Sequence, residues 1–336
     1  MKTLVLKRYG GLDQVEFADM PRPTIKPDEI LVQVRAAGLN PIDYMIPKGS
    51  FKPLMKFQLP ATMGSDLAGV VVEAGSRVTR FKPGDAVFAS IFDLGRGSLA
   101  EFAAVPEHAA AFKPSNLDFV QAASIPMVGL TAWQAFNERV QLKRGQKVFI
   151  PAGSGGIGTF AIQLAKHLGA KVGTTTSTGN VDLVRSLGAD EVVDYKKQEF
   201  EQVLRGYDAV LATVRGDALE KALRILRPKS TVVSLIGPPD AAFARARGMN
   251  FLMKFVFSLL SSKIIRLAKK RDARYSFLFV RPDGGQLGKI GGLLEASHIR
   301  PVIDKVFTFD QAKDALAYLE QGRAKGKVVV QMAAQS

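Results

Sequence analysis

The chain contains no cysteine among its 336 residues and has three histidines. The missing thiol excludes disulfide bonds, thiolate metal sites and a cysteine nucleophile. The histidines, His108, His167 and His298, stand far apart in the sequence and lack the spacing of a metal-binding cluster. The composition therefore predicts that no metal is bound.

Long apolar runs and a secretion signal are also missing. No stretch of about twenty apolar residues appears, which is the length that a membrane-spanning helix needs. The N-terminal run MKTLVLKR is too short and too charged for a signal peptide. These two absences predict a cytoplasmic protein, and the length of the chain predicts two domains.

Positive charge is in excess, with a formal net charge of +15. Residues 241–281 hold ten Lys or Arg and a single acid, Asp272, which gives this stretch a charge of +9. Phenylalanine, leucine and isoleucine alternate with the basic residues, as in a basic amphipathic helix. Three interpretations stay open: an ordinary helix with a solvated basic rim, a weak contact with an anionic membrane surface or RNA, and an edge of a substrate cleft or subunit contact.

A glycine-rich turn lies between an apolar β-branched segment, Val148–Ile150, and a helical pattern. Gly153, Gly155 and Gly158 match G-x-G-x-x-G in the strand–turn–helix context that this motif requires. Glycines there permit a tight turn, close approach of the backbone to a pyrophosphate, and close packing of helix on strand. The diphosphate binds the free N–H groups of the helix N-terminus. The motif therefore predicts a dinucleotide-binding site.

The strand after this helix lacks an acid. A site for NAD usually has an Asp or Glu about twenty residues after the first glycine, which binds the ribose 2′-hydroxyl. No acid occurs between Thr159 and Val181, and the strand ends in Thr175, Thr176 and Ser177. Their hydroxyls can donate to a 2′-phosphate, so the sequence favours NADPH over NADH. The alternative is that these residues only form a strand and a turn.

The pattern of elements changes along the chain. Residues 1–120 predict short strands separated by Gly and Pro turns, which is typical of a β-barrel-like domain. From about Asn116 a helical stretch, Asp118–Phe136, leads into strands and helices that alternate. This alternation predicts a parallel, doubly wound sheet and an α/β fold class.

Several short motifs, taken in order, resemble the zinc-free branch of the medium-chain dehydrogenase/reductase superfamily, the quinone oxidoreductase-like proteins. The motifs are GLNPID at 38–43, GSDLAG at 64–69, FKPGDAV at 81–87, GSLAEF at 97–102, GLTAW at 129–133, the glycine turn, LGAD at 187–190 with Asp194-Tyr195, and GKVV at 326–329. The zinc-dependent alcohol dehydrogenases carry Cys at the position of Asn40 and His-Glu at Ser65-Asp66. Asn and Ser-Asp cannot form a tetrahedral catalytic zinc site.

The resemblance implies a split GroES-like β-barrel-type catalytic domain, residues 1–120 and 275–336, and a Rossmann NADP-binding domain, residues 121–274. It places the active site between them and implies a catalytic role for Asn40 and Asp43, on the nicotinamide side. The structural alternative for both residues is a turn with an Asx hydrogen bond. The implied cofactor-binding residues are Thr131, Gly153, Ser154, Gly155, Gly156, Ile157, Gly158, Thr176, Ser177, Tyr195, Ile236, Gly237, Phe277, Leu278, Phe279 and Lys327.

Without zinc, no group polarises a ketone strongly, which favours an acceptor that is already electrophilic. We expect a zinc-independent oxidoreductase that transfers hydride from NADPH to a quinone or to the C=C bond of an α,β-unsaturated carbonyl. The Asn40 amide could donate to the developing enolate. A homodimer or a monomer is expected, with no specific nucleic acid partner. The alternative is a nucleotide-fold binding protein that acts on a membrane surface or RNA through residues 241–281.

Overall fold

The computed structural model describes residues 1–52, 54–55 and 57–332. The strands are β1 (Lys2–Leu6), β2 (Val15–Asp19), β3 (Glu29–Leu39), β4 (Ala61–Thr62), β5 (Asp66–Ala74), β6 (Ala86–Ser90), β7 (Phe102–Pro106), β8 (Ala110–Phe112), β9 (Lys147–Ile150), β10 (Lys171–Thr176), β11 (Glu191–Asp194), β12 (Tyr207–Ala212), β13 (Leu226–Ser234), β14 (Ala273–Phe277), β15 (Ile303–Thr308) and β16 (Lys327–Gln331). The α-helices are α1 (Pro41–Met45), α2 (Phe119–Ala123), α3 (Pro126–Trp133), α4 (Gly156–His167), α5 (Val181–Ser186), α6 (Phe200–Val203), α7 (Ala218–Ala222), α8 (Ala241–Ala246), α9 (Phe251–Lys269), α10 (Gly284–Glu295) and α11 (Ala312–Glu320).

The chain divides into two units. Unit 1 comprises Met1–Leu130 and Arg281–Ser336, and unit 2 comprises Thr131–Val280. The predicted borders at residues 120 and 275 differ from these by ten and six residues. The assignment of the two functional roles to the two parts of the chain stays a prediction.

Unit 1 is built mainly on antiparallel strands, with β15 and β16 paired in parallel. A sheet of seven strands has the order β15-β16-β3-β5-β6-β8, with β7 also paired to β3, and a smaller sheet has the order β2-β1-β4. Strand β3 is central, because β5 pairs along one edge while β7 and β16 share the other. The side chains of Leu4, Val32 and Leu67 are fully buried in this unit. The predicted short strands of this part of the chain are confirmed.

Unit 2 contains one parallel sheet. Its strand order is β11-β10-β9-β12-β13-β14, and every pairing in it is parallel. In chain order this is 3-2-1-4-5-6, with the order reversing between β9 and β12, as in doubly wound dinucleotide-binding sheets. All six residues of β12 are buried, as expected for a strand covered on both faces. The predicted doubly wound sheet is confirmed.

The helical stretch predicted over Asp118–Phe136 is not one helix. It consists of α2, α3 and a π-helical turn over Gln134–Val140, with a break at Ser124 and Ile125. The cause is Pro126, because the proline ring disfavours an α conformation in the residue before it.

The basic stretch 241–281 forms α8, α9 and β14. Helix α9 packs on unit 2 through Phe257, Ser261, Ile264 and Ala268, which lie on one side at three- and four-residue spacing. Other apolar residues of α9 are exposed. An ordinary helix packed on a core therefore accounts for one side of α9 but not for its exposed apolar side. Among the residues that the structure describes, no helix has both the length and the apolar character to cross a membrane.

Candidate functional site

The glycine turn of unit 2 follows β9 and leads into α4, at the point where the strand order of the sheet reverses. Pro151 begins the turn, and its carbonyl accepts a hydrogen bond of 3.1 Å from the Thr213 hydroxyl, which follows β12. The two strands that flank the reversal are therefore joined at their carboxyl ends. In open α/β sheets, ligands bind outside the carboxyl ends of the strands at such a reversal.

The three motif glycines differ in what surrounds them. A Cβ added to Gly153 would lie 2.1 Å from Thr174 Oγ1, and one added to Gly158 would lie 2.5 Å from the Ala152 carbonyl oxygen. These two glycines are required by packing within the protein. A Cβ on Gly155 would meet only the Ala152 carbonyl oxygen, at 3.4 Å. No protein neighbour requires a glycine there, so the free space at Gly155 is available to a ligand.

The turn is held in a strained conformation. Ala152 has φ +54°, in the left-handed region that non-glycine residues adopt rarely. Its N–H donates to Thr175 Oγ1 at 3.0 Å, and Gly153 N–H donates to the Thr175 carbonyl at 2.9 Å. Backbone strain of this kind is concentrated at ligand sites. The neighbouring strand β10 therefore fixes the shape of the turn.

Helix α4 supplies N–H groups at its start. The Thr159 N–H donates to the Gly155 carbonyl at 2.9 Å, which closes the first turn of the helix. The N–H groups before Thr159 have no carbonyl one turn earlier in the helix, and they carry the positive end of the helix dipole. This is the arrangement that binds a phosphate group.

Hydroxyl and amide groups connect the turn to the end of β10. Thr176 Oγ1 donates to Ser154 Oγ at 3.0 Å, and Asn180 Nδ2 lies 3.3 Å from the same oxygen. Asn180 Nδ2 also donates to Ser177 Oγ at 3.1 Å. The structure therefore brings the predicted residues Ser154, Thr176 and Ser177 together, with Asn180 as an additional member of the cluster.

A carboxylate for which the sequence predicted no role at the cofactor lies beside this cluster. Asp194, the last residue of β11, is the Cα partner of Thr176 across the sheet. It accepts hydrogen bonds from Thr178 Oγ1 at 2.6 Å and from Lys196 N–H at 3.0 Å, and Lys197 Nζ lies 3.7 Å away. The Thr178 hydroxyl is the main group that lowers the pKa of Asp194. No acid follows Thr159 in the sequence as far as Val181, but the sheet brings an acid from the next strand beside the end of β10.

The remaining predicted cofactor residues of unit 2 follow other strands, with one exception. Tyr195 follows β11 and is exposed, and Ile236 and Gly237 follow β13. Gly237 N–H donates to Ser234 Oγ at 2.8 Å. Thr131 differs, because it is buried in α3 and does not follow a strand.

The predicted loop Phe277–Phe279 is partly strand. Phe277 is the last residue of β14, and both Phe277 and Leu278 are buried. Phe277 and Phe279 pack on the ring of Phe243, with ring centroids 5.2 and 5.5 Å apart. These side chains form an apolar end to the row of strand termini.

Unit 1 holds a closed polar network around Asn40, which precedes α1. Asn40 N–H donates to Asp43 Oδ2 at 2.7 Å, and Ser65 Oγ donates to Asp43 Oδ1 at 2.9 Å. Asn40 Nδ2 donates to Asp66 Oδ2 at 2.9 Å and to Ser65 Oγ at 3.2 Å. Met127 N–H donates to Asp66 Oδ2 at 3.1 Å. The turn at Asn40 is held by the Asp43 side chain, which accepts from Asn40 N–H, and the Asn40 side chain itself makes no cap hydrogen bond to α1.

Lys327, predicted as a cofactor residue, lies inside this network. Its Nζ donates to Asn40 Oδ1 at 2.6 Å and lies 3.8 Å from Asp66 Oδ2. Strand β16 brings it there by pairing with β3, where Val328 is the partner of Leu39. Asn40, Asp43, Ser65, Asp66 and Lys327 are all at most 4 % exposed.

Burial dominates the electrostatics of the network. It raises the pKa of Asp43 to about 7, despite the opposing hydrogen bonds from Asn40 and Ser65. It also raises the pKa of Asp66 and lowers the pKa of Lys327, while the mutual attraction of the two groups opposes both shifts. With a pKa of about 7, Asp43 changes its protonation near neutral pH, and this titration is coupled to Asp66 and Lys327.

The donor set of this network does not fit a catalytic zinc ion. Zinc sites use thiolate, imidazole or carboxylate ligands, and of the three aligned positions only Asp66 supplies one. Its Oδ2 already accepts from Asn40 and Met127 and faces the Lys327 ammonium, which would repel a second cation. Within residues 1–52, 54–55 and 57–332, no group of three or more His, Cys, Asp or Glu side chains is arranged to hold a metal.

Comparison with known proteins places this chain among dehydrogenases and reductases. Residues 26–115 match the family "Alcohol dehydrogenase GroES-like domain", and residues 187–330 match "Zinc-binding dehydrogenase". The predicted GroES-like and Rossmann fold class is therefore confirmed.

Similar proteins include two curated plant enzymes and one solved structure. The chain is 36% identical, over 98% of its length and 79% of theirs, to a 2-methylene-furan-3-one reductase of Solanum lycopersicum and to a chloroplastic NADPH-dependent alkenal/one oxidoreductase of Arabidopsis thaliana. The quinone oxidoreductase structure from Coxiella burnetii is 30% identical, with a TM-score of 0.85 and 99% of each chain covered.

Proposed function

Because the chain belongs to the quinone oxidoreductase-like proteins of the medium-chain dehydrogenase/reductase superfamily, we propose that it transfers hydride from NADPH to a quinone or to the C=C bond of an α,β-unsaturated carbonyl, without a metal. One observation carries the proposal. The chain keeps a dinucleotide turn with free space at Gly155, while Lys327 closes the network at the positions where zinc relatives have their ligands.

The residues of unit 2 fit the nucleotide. The N–H groups at the start of α4 would hold the diphosphate, with the free space at Gly155 admitting it. Ser154, Thr176 and Ser177 would surround the adenosine end, where their hydroxyls can donate to a 2′-phosphate. Asp194 does not prevent this, since its charge is already engaged by Thr178 and Lys197. When bound, NADPH would supply the hydride.

The nature of the acceptor follows from the groups that unit 1 lacks. The network around Asn40 offers no free ligand set for a metal that would polarise a ketone, which favours an acceptor that is already electrophilic. The similar 2-methylene-furan-3-one reductase and alkenal/one oxidoreductase support an α,β-unsaturated carbonyl as the acceptor. The similar quinone oxidoreductase structure supports a quinone. The protein would then act mainly by orienting two planar partners and excluding water.

We propose Asn40 and Asp43 as positioning residues. Both hydrogens of Asn40 Nδ2 are engaged by Ser65 and Asp66, so direct donation to an enolate would require that network to open. The test compares Asn40→Ala with Asn40→Asp in the pH profile of kcat and in the KM for the acceptor. A positioning role predicts a shifted pH profile in both variants, since each removes the amide that donates to Asp66 and Ser65, and the shift should be larger for Asn40→Asp, which adds a third buried carboxyl group. A direct donor predicts a fall in kcat of about 10² in both.

The proposed reaction is tested with a panel of quinones, enals and enones, following NADPH consumption optically. Turnover of at least one class is expected, and it should survive a chelator. Activity that a chelator abolishes and zinc restores would contradict the metal-free proposal. NADPH bound without turnover of any member would contradict the reaction itself.

The cofactor preference has its own test. We expect NADPH to bind about tenfold or more tightly than NADH, which is about 1.4 kcal/mol. Ser177→Asp should abolish this difference by placing a carboxylate at the end of β10, while leaving NADH affinity unchanged. Ser186→Asp, an exposed site on α5, adds the same charge as a matched control. Equal affinities in the unmodified protein, measured by calorimetry at fixed ionic strength, would refute the preference.

A further inference from the structure

Helix α9 carries an exposed apolar surface, which we call the α9 patch: Phe251, Leu252, Phe255, Leu259 and Leu260. Their exposed fractions are 83%, 65%, 53%, 58% and 56%. Ten large hydrophobic side chains are exposed among the residues that the structure describes, and the patch holds five of them within ten positions. Concentrated apolar exposure of this kind marks an interaction site.

The patch is set apart from the side of α9 that packs on the protein. Phe251, Phe255 and Leu259 follow one another at four-residue spacing, so they share one stripe of the helix. The packed side chains Phe257 and Ile264 lie on a different side, where Phe257 contacts the ring of Phe243 with centroids 6.0 Å apart. The patch is therefore not needed to hold α9 in place.

The charged residues of α9 itself all have one sign. Helix α9 contains Lys254, Lys263, Arg266 and Lys269 and no acid, and no Asp or Glu occurs anywhere from 241 to 271. Lys263 pairs with Glu220 of α7 at 2.6 Å. The polar surroundings of the patch are thus strongly cationic.

We propose that the α9 patch docks on the surface of a lipid bilayer with anionic headgroups. A helix with Phe and Leu on one side and Lys and Arg beside them lies in the plane of the bilayer interface. Its apolar side chains enter the boundary between headgroups and acyl chains, and its cations face the anionic headgroups. A symmetric dimer through the α9 patch is disfavoured, because it would bring one acid-free cationic helix against another. This proposal does not depend on the reaction proposed above.

The first test is co-sedimentation with vesicles of phosphatidylglycerol and of phosphatidylcholine. We expect binding to phosphatidylglycerol that weakens, but persists in part, when the salt is raised from about 0.1 M to about 1 M and the Debye length falls from about 10 Å to about 3 Å. Phe255→Ser with Leu259→Ser should weaken this binding about tenfold or more. Lys254→Glu with Arg266→Glu should do the same at low salt.

Matched controls keep this test specific. Val203→Ser with Val306→Ser alters two exposed apolar side chains elsewhere, and Lys82→Glu with Lys313→Glu alters the same charges in unit 1. Both controls should bind within about threefold of the unmodified protein, since they leave the docking helix intact. Thermal unfolding of every variant establishes that it is folded.

The absence of cysteine permits a second test that reports insertion directly. Leu252→Cys and Val203→Cys each carry one environment-sensitive dye. We expect a blue shift of the Leu252→Cys dye on phosphatidylglycerol vesicles and none for Val203→Cys. The proposal is overturned if neither vesicle binds, if the α9 variants bind as well as the controls, or if no blue shift occurs. It is equally overturned if the protein does not bind vesicles but forms a dimer, and if Phe255→Ser with Leu259→Ser dissociates that dimer.

Discussion

The polar network of unit 1 and the glycine turn of unit 2 differ in whether their polar groups are bonded within the protein. In the network, Asn40, Asp43 and Lys327 bond to one another and to their neighbours, and the side chains are buried. At the turn, the first N–H groups of α4 have no helical carbonyl to bond, and no protein group fills the space at Gly155. The network satisfies most of its own polar groups, with Asp66 Oδ1 the exception, whereas the turn leaves its N–H groups and its free space to a ligand.

This difference separates two kinds of functional residue. A substitution in the closed network should act first on stability, because it leaves a buried charge or donor without its partner. A substitution at the open turn should act first on nucleotide affinity. The predictions below test this separation, from the largest expected effect to the smallest.

Lys327→Met should have the largest effect. It removes the cation beside two buried carboxyl groups, Asp66 and Asp43, and should lower the free energy of unfolding by about 3–5 kcal/mol at neutral pH. Denaturant unfolding measures the change. Lys82→Met, at an exposed lysine of the same unit, should stay within about 0.5 kcal/mol. Equal effects of the two variants would show that the network contributes nothing to stability.

Asp43→Asn should change how stability depends on pH. The pKa of Asp43 in the folded chain, about 7, lies above its value in the unfolded chain, so the folded state binds this proton more tightly. The stability that Asp43 contributes is complete below about pH 4 and is lost as the pH rises through about 7. The variant should therefore gain stability relative to the unmodified protein over this range, by at most about 4 kcal/mol.

The measurement is the free energy of unfolding of both proteins at several pH values. Titrating groups that the two proteins share largely cancel in the difference. Asn can still accept from Asn40 N–H and face Ser65, so the variant is expected to fold. A difference that does not vary with pH would mean that Asp43 is not the group that titrates.

Gly155→Ala should weaken NADPH binding about tenfold, or about 1.4 kcal/mol, with no change in the thermal unfolding midpoint. The added methyl group has room in the protein, since φ of Gly155 is −81°, but it occupies the ligand space. Gly158→Ala is the contrasting variant, because its Cβ would lie 2.5 Å from a backbone oxygen and should destabilise the fold. If Gly155→Ala also lowered the thermal unfolding midpoint, Gly155 would be required for the fold, as Gly158 is, and not specifically for the ligand.

Asp194→Asn should have the smallest effect, less than about threefold on NADPH affinity. Thr178 and Lys197 already engage the carboxylate, so little of its charge is felt by a bound phosphate. Calorimetry at two ionic strengths is the measurement. A large gain in affinity would show instead that Asp194 repels the 2′-phosphate and opposes the NADPH preference.

Local features of the site could be predicted from the sequence, whereas distant ones could not. Strand β9, the turn and α4 follow one another, so spacing alone indicated them. No role at the cofactor was predicted for Asp194, because sheet pairing, not sequence, brings it beside Thr176. The bond between Asn40 and Lys327 joins positions 287 apart, and no local pattern encodes such a contact.

The fold shows the same limit. Periodicity correctly indicated that α9 has an apolar side, but it could not indicate which of the apolar residues the protein would cover. Phe257 became buried and Phe255 stayed exposed because the packing partners, such as Phe243, come from another helix. In the region 118–136, Pro126 is visible in the sequence and was the signal for the break that the helical pattern concealed.

The pairing of β3 with β16 has a consequence for biosynthesis. A ribosome adds about 5–20 residues per second. Lys327, 287 positions after Asn40, is therefore synthesised roughly 15 to 60 s later than Asn40. All the strands of the parallel sheet are synthesised within that interval. Meanwhile Ala36–Leu39 of β3 lack the strand that will cover them, and an uncovered strand edge invites pairing with other chains. This edge of β3 therefore stays open to pairing with other chains until β16 has been made.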